Sequence, residues 1–251
     1  MTFVRAVELV PERAGEADAY PWSLPVVRGL ERLELDPGVT FLVGENGSGK
    51  STLIEALAVC LGLNPEGGTQ NFAFATRESH SPLHEALRPV REARRPRTAF
   101  FLRAESLFTV ATEIERLDEA GPTPLLPCYG GRSLHERSHG ESFLALANNR
   151  FSGDGLYLFD EPEAALSPHG LLALMRRMAD LLAERSQFVI ATHSPILLAY
   201  PGARIVSFDE IPVRLVEYSE LESVRLVRDF LAAPERYVRG IVNGHGSTES
   251  D

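Results

Sequence analysis

Lysine occurs once in this chain, at Lys50, so the other 24 of its 25 basic residues are arginine. Ammonium and guanidinium are not interchangeable where a compact cation must fit, and a composition that otherwise excludes lysine singles out that position. Positive charge is short overall: 35 acids against 25 bases leave a formal charge of -10. That excludes a global electrostatic grip on nucleic acid or an anionic membrane and leaves only a local patch for such a task. Cysteine occurs twice, at Cys60 and Cys128, far apart and at no metal-ligand spacing. This excludes a disulfide framework and a zinc site, and predicts two buried free thiols in a reducing cytoplasm. Long apolar runs are missing too. The longest stretch without Asp, Glu, Lys or Arg, Ser186 to Ala203, contains His193, Pro195 and Pro201 and does not read as a membrane span. Arg5 and Glu8 interrupt the first apolar stretch, so no secretory signal is visible.

What is present is ordinary globular composition, 44% hydrophobic and 24% charged over 251 residues. It excludes a wholly disordered, collagenous or coiled-coil chain, and the length is enough to bury a core without staples. Strands are predicted over 3–10, 30–35, 39–43, 98–103, 155–159 and 187–191, with a final hairpin over 205–208 and 213–216. Helical character is predicted over 51–63, 83–97 (broken by Pro89 and Pro96), 106–117, 140–149, 170–185, 220–232 and 234–242. Residues 65–84 read as a loop with a short strand near 72–75. Buried strands alternating with helices predict an α/β fold with a mainly parallel core sheet. One domain is expected over 1–242, with a small helical subdomain near 106–152 and a disordered tail over 243–251.

Four segments carry chemistry. Gly44-Glu45-Asn46-Gly47-Ser48-Gly49-Lys50-Ser51, followed by Thr52, fits the phosphate-loop pattern, with a strand before it and a helix after it. Its glycines let backbone N–H groups curl round phosphates, Lys50 reaches the β- and γ-phosphates, and the Ser51 hydroxyl suits Mg²⁺. Leu156 to Pro162 is an apolar strand ending in two acids, the Walker B pattern: Asp160 to hold Mg²⁺, Glu161 to polarise the attacking water. His193, in Ala191-Thr192-His193-Ser194-Pro195, stands at the end of the next strand, where ligands bind in open parallel sheets. A lone histidine is as often structural. Ser138-His139-Gly140-Glu141 opens a helix, either as an anion site or as an ordinary cap.

In this order the segments GENGSGKST, SHGES, LFDEPEAALSP and ATHSP resemble the ATP-binding-cassette type of P-loop ATPase, in its soluble branch with SMC-like and RecF-like heads. They are similar above all to short standalone bacterial ATPases labelled "AAA family ATPase". The resemblance spans about 3–242 and implies antiparallel N-terminal strands beside the parallel core sheet. It also implies that Ser138 and Gly140 form a signature motif capping the γ-phosphate of a second copy in a head-to-tail, ATP-dependent homodimer. Residues 164–167 fall where the family has its D-loop, with Ser167 in place of the usual Asp. The Q-loop is open, since the only glutamines are Gln70 and Gln187 and Glu105 has the position but not the chemistry. The adenine-stacking aromatic is open between Tyr20 and Trp22.

The resulting expectation is Mg²⁺-dependent ATP binding and hydrolysis, with Lys50, Glu161 and His193 catalytic. Two alternatives stand beside it: a nucleotide-switch clamp on DNA or a defence effector, and the ATP-binding subunit of a transporter with separate membrane proteins. Arg88 to Arg97 carries five arginines and one acid. It reads as a solvated face before a nucleic-acid or acidic-partner contact.

Overall fold

A computed structural model of the chain describes residues 2–69, 81–120 and 124–243. Gln70, the expected strand near 72–75 and residues 244–251 of the expected tail lie outside these. The first compact unit runs from Met1 to Leu215 and the second from Val216 to Asp251.

The first unit opens with β1 (Val4–Leu9), a short α1 (Pro25–Arg28), β2 (Arg32–Glu34), β3 (Val39–Val43) and α2 (Lys50–Cys60). It continues through α3 (Leu83–Ala86), β4 (Leu87–Arg91), β5 (Thr98–Arg103), α4 (Leu107–Ala120), α5 (His139–Asn149) and β6 (Gly155–Asp160). It closes with α6 (Pro168–Ala183), β7 (Gln187–Ala191), α7 (Pro195–Leu198), β8 (Arg204–Ser207) and β9 (Arg214–Leu215). The larger sheet has strand order β5-β6-β7-β3-β8-β9, parallel except for the β8–β9 hairpin. Residues of β3, β6 and β7 are buried throughout. That is why they read as unbroken apolar runs, as strands covered on both faces must. The smaller sheet, β2-β1-β4, is antiparallel. Both the mainly parallel core and the antiparallel N-terminal strands are therefore as expected.

Helix α6 forms where Ser167 caps it by accepting from the Gly170 amide and Pro168 occupies its first turn. Its buried residues Leu171, Leu174, Met178 and Leu181 fall on one stripe. Burying each contributes on the order of 1.5–3 kcal/mol. Gln187 is fully buried and joins the two sheets: its carbonyl accepts from the Phe3 and Val4 amides, and its amide donates to the Val4 and Asp36 carbonyls. All four of its hydrogen-bonding positions are filled, so this glutamine is structural.

The helix expected over 83–97 is corrected. Only Leu83–Ala86 is helical, and Leu87–Arg91 is a strand on β1. Pro89 disfavours helix and is tolerated here because β4 is an edge strand, where a missing N–H loses no ladder bond. The thiols are also corrected in part. Both are free, but only Cys60 is partly buried, with its Sγ donating to the His84 carbonyl, while Cys128 is exposed. In the second unit, α8 (Glu222–Ala232) and α9 (Pro234–Asn243) follow a short turn, with Phe230 and Tyr237 ring centroids 5.8 Å apart. Asn243, assigned to the tail from the sequence, closes α9. No described helix is long and apolar enough to cross a membrane.

Candidate active site

The C-terminal ends of β3, β7 and β6 lie side by side, and each delivers a chemically loaded segment to the same end of the sheet. After β3 the loop from Gly44 to Gly49 turns through φ +148° at Gly44, +82° at Gly47 and +100° at Gly49. At Gly47 a Cβ would meet nothing, so the backbone angle alone selects glycine. At Gly49 a Cβ would stand 2.6 Å from Val26 Cγ1, so packing selects it as well. Helix α2 starts directly after Gly49, aiming its N-terminus at the loop.

Lys50 is only 3% exposed. Its Nζ donates to the carbonyls of Gly44 (2.7 Å) and Glu45 (2.9 Å), which folds the ammonium against the loop. Burial pulls its pKa below the ordinary value, against the opposing pull of Glu161, Asp209 and Asp160. The Ser51 hydroxyl donates to Asp160 Oδ1 at 2.9 Å, joining the phosphate loop to the end of β6. Thr52, next along α2, shares a 3.1 Å hydrogen bond with the exposed Tyr20 hydroxyl. Trp22 is instead buried in the core, so of the two aromatics only Tyr20 stands beside the loop.

Glu161 follows Asp160 in the left-handed region, φ +49°, and its amide donates to the Ala191 carbonyl at the end of β7. A non-glycine residue there is strained, and such strain is held only where the surroundings fix it. His193 Nε2 lies 3.6 Å from Glu161 Oε1, too long for a hydrogen bond, and has no partner although buried. The Ser48 hydroxyl is likewise buried without a partner. Two orphaned polar atoms beside a cradle of amides fit a ligand bearing both donors and acceptors, as a nucleoside triphosphate does. Oxygen-only donors at Ser51 and Asp160 suit Mg²⁺, which takes one or two protein oxygens and fills the rest of its shell with phosphate and water. Among the described residues no group of three His, Cys, Asp or Glu side chains forms a metal cage.

Residues 24–94 match the family described as "AAA domain", and residues 134–199 match "AAA domain, putative AbiEii toxin, Type IV TA system". The cytochrome c biogenesis ATP-binding export protein CcmA of Rhodopseudomonas palustris is 30% identical over 172 residues, 65% of this chain and 82% of that protein. A Streptomyces avermitilis protein described as an ABC transporter ATP-binding protein is 31% identical over 218 residues; the match covers 81% of this chain but 36% of that longer protein. In fold, cbiO1 from Clostridium perfringens, part of the ABC transporter complex cbiONQ, aligns at TM-score 0.50 and 16% identity over 94% of this chain and 97% of that one. The chain belongs to the ABC-type P-loop ATPase family.

In this ATPase the structure brings Lys50, Ser51, Asp160, Glu161 and His193 to the same end of the sheet. Ser138 and Gly140 do not join them through any hydrogen bond or ion pair among the described residues. Ser138 caps α5 reciprocally: its hydroxyl accepts from the Glu141 amide, and the Glu141 carboxylate accepts from the Ser138 amide (2.8 Å) and hydroxyl (2.8 Å). The Ser138 amide and hydroxyl hold the Glu141 carboxyl below its usual pKa. Gly140 packs close, where a Cβ would stand 3.1 Å from the Ala165 carbonyl. Ser167, where the family has Asp, is occupied in capping α6.

Three residues given no role from the sequence contact the site: Arg103 and Asp209, which lie in no quoted motif, and Glu163, which lies within LFDEPEAALSP. Arg103, the last residue of β5, donates from Nε to Asp160 Oδ2 (3.0 Å) and from Nη2 to Glu55 Oε2 on α2 (2.9 Å). Burial opposes its charge, but the two carboxylates outweigh that and raise its pKa. Glu105, two residues on, is exposed, so the contact to the Walker B acid from this segment comes from an arginine. Asp209 accepts from the Glu45 amide (2.7 Å) and so props the phosphate loop from behind β8. Glu163 accepts from the Thr192 hydroxyl (2.8 Å) and the His193 amide, which fixes the segment that presents the imidazole.

Proposed function

We propose that this chain binds ATP at the phosphate loop and hydrolyses it, with two copies pairing head to tail around two nucleotides. The observation that carries the reading is the convergence of Lys50, Ser51, Asp160, Glu161 and the unpartnered His193 Nε2 at one end of the parallel sheet. Lys50 leaves the Gly44 and Glu45 carbonyls for the β- and γ-phosphates, while the loop amides and the α2 N-terminus take the remaining phosphate oxygens. Ser51 and Asp160 would hold Mg²⁺, which would neutralise developing phosphate charge. Glu161 accepts a proton from the attacking water, and His193 donates from Nε2 to the γ-phosphate or to that water. Tyr20 stacks on the adenine. Ser138 and the Gly140 amide close the partner's site; in one chain alone they serve no ligand.

Phosphate release by Lys50→Ala is the test. Removing one charge-stabilising donor of this kind lowers turnover about 10²–10³-fold, and turnover near the wild-type rate would overturn the assignment.

A second reading is favoured by the match to CcmA over 82% of that protein's length: an ATP-binding subunit that docks on a separate membrane protein. Co-purification with an integral membrane protein supports it; a chain that hydrolyses ATP and pairs with itself alone favours the first reading.

A further inference from the structure

We propose that a five-arginine cavity at the N-terminal edge of the core sheet is a second anion site, for a compact ligand carrying two or more phosphate groups. The cavity has a volume of about 380 Å³, within the range of small-molecule sites. Arg91, Arg94, Arg95, Arg97 and Arg150 line it, and among the described residues no carboxylate does, in a chain where acids exceed bases by ten. Like charges gathered on a concave wall repel one another, and a bound anion is what relieves that repulsion.

Two of the five arginines have partners within the fold, and the other three leave donors for a ligand. Asp154 pairs with Arg94 and with Arg185 beyond the rim. Arg91 donates to the Cys60 carbonyl. Arg95 and Arg97 make no ion pair among the described residues. Arg150 carries its guanidinium 5.9 Å from the Tyr129 ring centre, and its Nε is buried with no hydrogen-bond partner. A buried donor without an acceptor is costly and calls for one from a ligand. Guanidinium forks match phosphate oxygens two at a time, so several arginines select a multiply charged phosphate over a single carboxylate. The back wall is apolar, from Val4, Leu61, Ala99 and Leu156. Phe3, the one aromatic in the lining among the described residues, is itself 3% exposed. Among the described residues no exposed ring is offered for base stacking, which favours a compact phosphorylated molecule over a nucleic-acid strand.

The site is distinct from the phosphate loop. Thr98 lines the cavity at the start of β5, while Arg103 at the other end of that strand holds Asp160. The six residues of β5 separate the two by roughly 17–20 Å at the usual rise per strand residue. The inference therefore does not depend on the ATPase reading.

The test uses the full chain with Lys50→Ala, so that the phosphate loop lacks its ammonium, titrated calorimetrically with inorganic tripolyphosphate at physiological salt. Saturable binding of one tripolyphosphate per chain is expected, weakened about tenfold or more when Arg95→Gln and Arg97→Gln are added. Arg150→Gln, which removes the orphaned donor from a different element, is expected to weaken it similarly. Three results overturn the site: no saturable binding in the Lys50→Ala chain; binding unchanged by the arginine substitutions, which would locate it elsewhere; or duplex DNA bound tightly while tripolyphosphate binds no better than sulfate. ATP turnover by the Arg95→Gln/Arg97→Gln chain with Lys50 intact stays at the wild-type rate, so failure of this site and failure of the ATPase reading are told apart.

Discussion

At the scale of single residues, the site trades stability for chemistry. Lys50 is a buried cation whose pKa is depressed by burial, so in the nucleotide-free chain its charge is a cost that ligand binding relieves. Lys50→Met is accordingly expected to melt no lower than the wild type without nucleotide, and to lose the thermal shift that Mg·ATP gives the wild type. Arg103 behaves in the opposite way. It neutralises Asp160 and Glu55, whose side chains are 5% and 14% exposed. Arg103→Met removes the cation from both carboxylates and leaves them, among the described residues, only the Ser51 hydroxyl and the Ser81 amide as donors. That should cost up to about 3–5 kcal/mol in the metal-free chain, the usual penalty for breaking a buried pair. Because ligating carboxylates depend on what holds them, the Mg²⁺ concentration needed for fluorescent-ATP binding should rise about 10–100-fold, with Arg103→Lys recovering part. An unchanged Mg²⁺ requirement would make Arg103 merely structural. Away from the site, burial pushes the Cys60 thiol from 9.0 up to about 11. The unfolded thiol therefore ionises first, and stability should fall as pH rises across that interval, a loss that Cys60→Ala removes in alkaline melting curves. Lys50, Ser51, Asp160 and Glu161 could be named as candidates because phosphate-loop and Walker B patterns have a spacing set by phosphate chemistry, and His193 because it stands at the end of the next strand. Arg103 and Asp209 were not, because each acts through a contact made only by folding and belongs to no short pattern; Glu163 sits within LFDEPEAALSP, but its contact to the Thr192–His193 segment is made only by folding.

At the scale of elements, legibility followed burial. Strands β3, β6 and β7 are covered on both faces and announce themselves as apolar runs. Strand β4 does not: Leu-Arg-Pro-Val-Arg is half-exposed at an edge, and only its pairing with β1 makes it a strand. Helix α5 was legible at its start because Ser138 and Glu141 form a reciprocal cap, yet that same cap explains Ser138 without any nucleotide. Two functions on one residue can be separated. Ser138→Ala should cost about 1 kcal/mol of stability through the lost cap, whereas Glu141→Gln weakens the cap and leaves the hydroxyl. If Ser138→Ala suppresses ATP-dependent pairing and turnover far more than Glu141→Gln at equal melting temperature, the hydroxyl acts on nucleotide. Equal effects would assign Ser138 to the cap alone.

At the scale of the whole molecule, each copy holds one half of the proposed machine: the phosphate loop, Walker B acids and His193 on one end of the sheet, and the Ser138 helix start separate from them. His193 Nε2 and Ser48 Oγ, buried without hydrogen-bond partners in the single chain, fit a ligand that supplies them. The most direct measurement of that claim is the solution mass of the Glu161→Gln chain with and without Mg·ATP, since that substitution removes the base while leaving the phosphate-binding groups intact. The account predicts one chain without nucleotide and two with it. A mass that stays at one chain while ATP is demonstrably bound would contradict it.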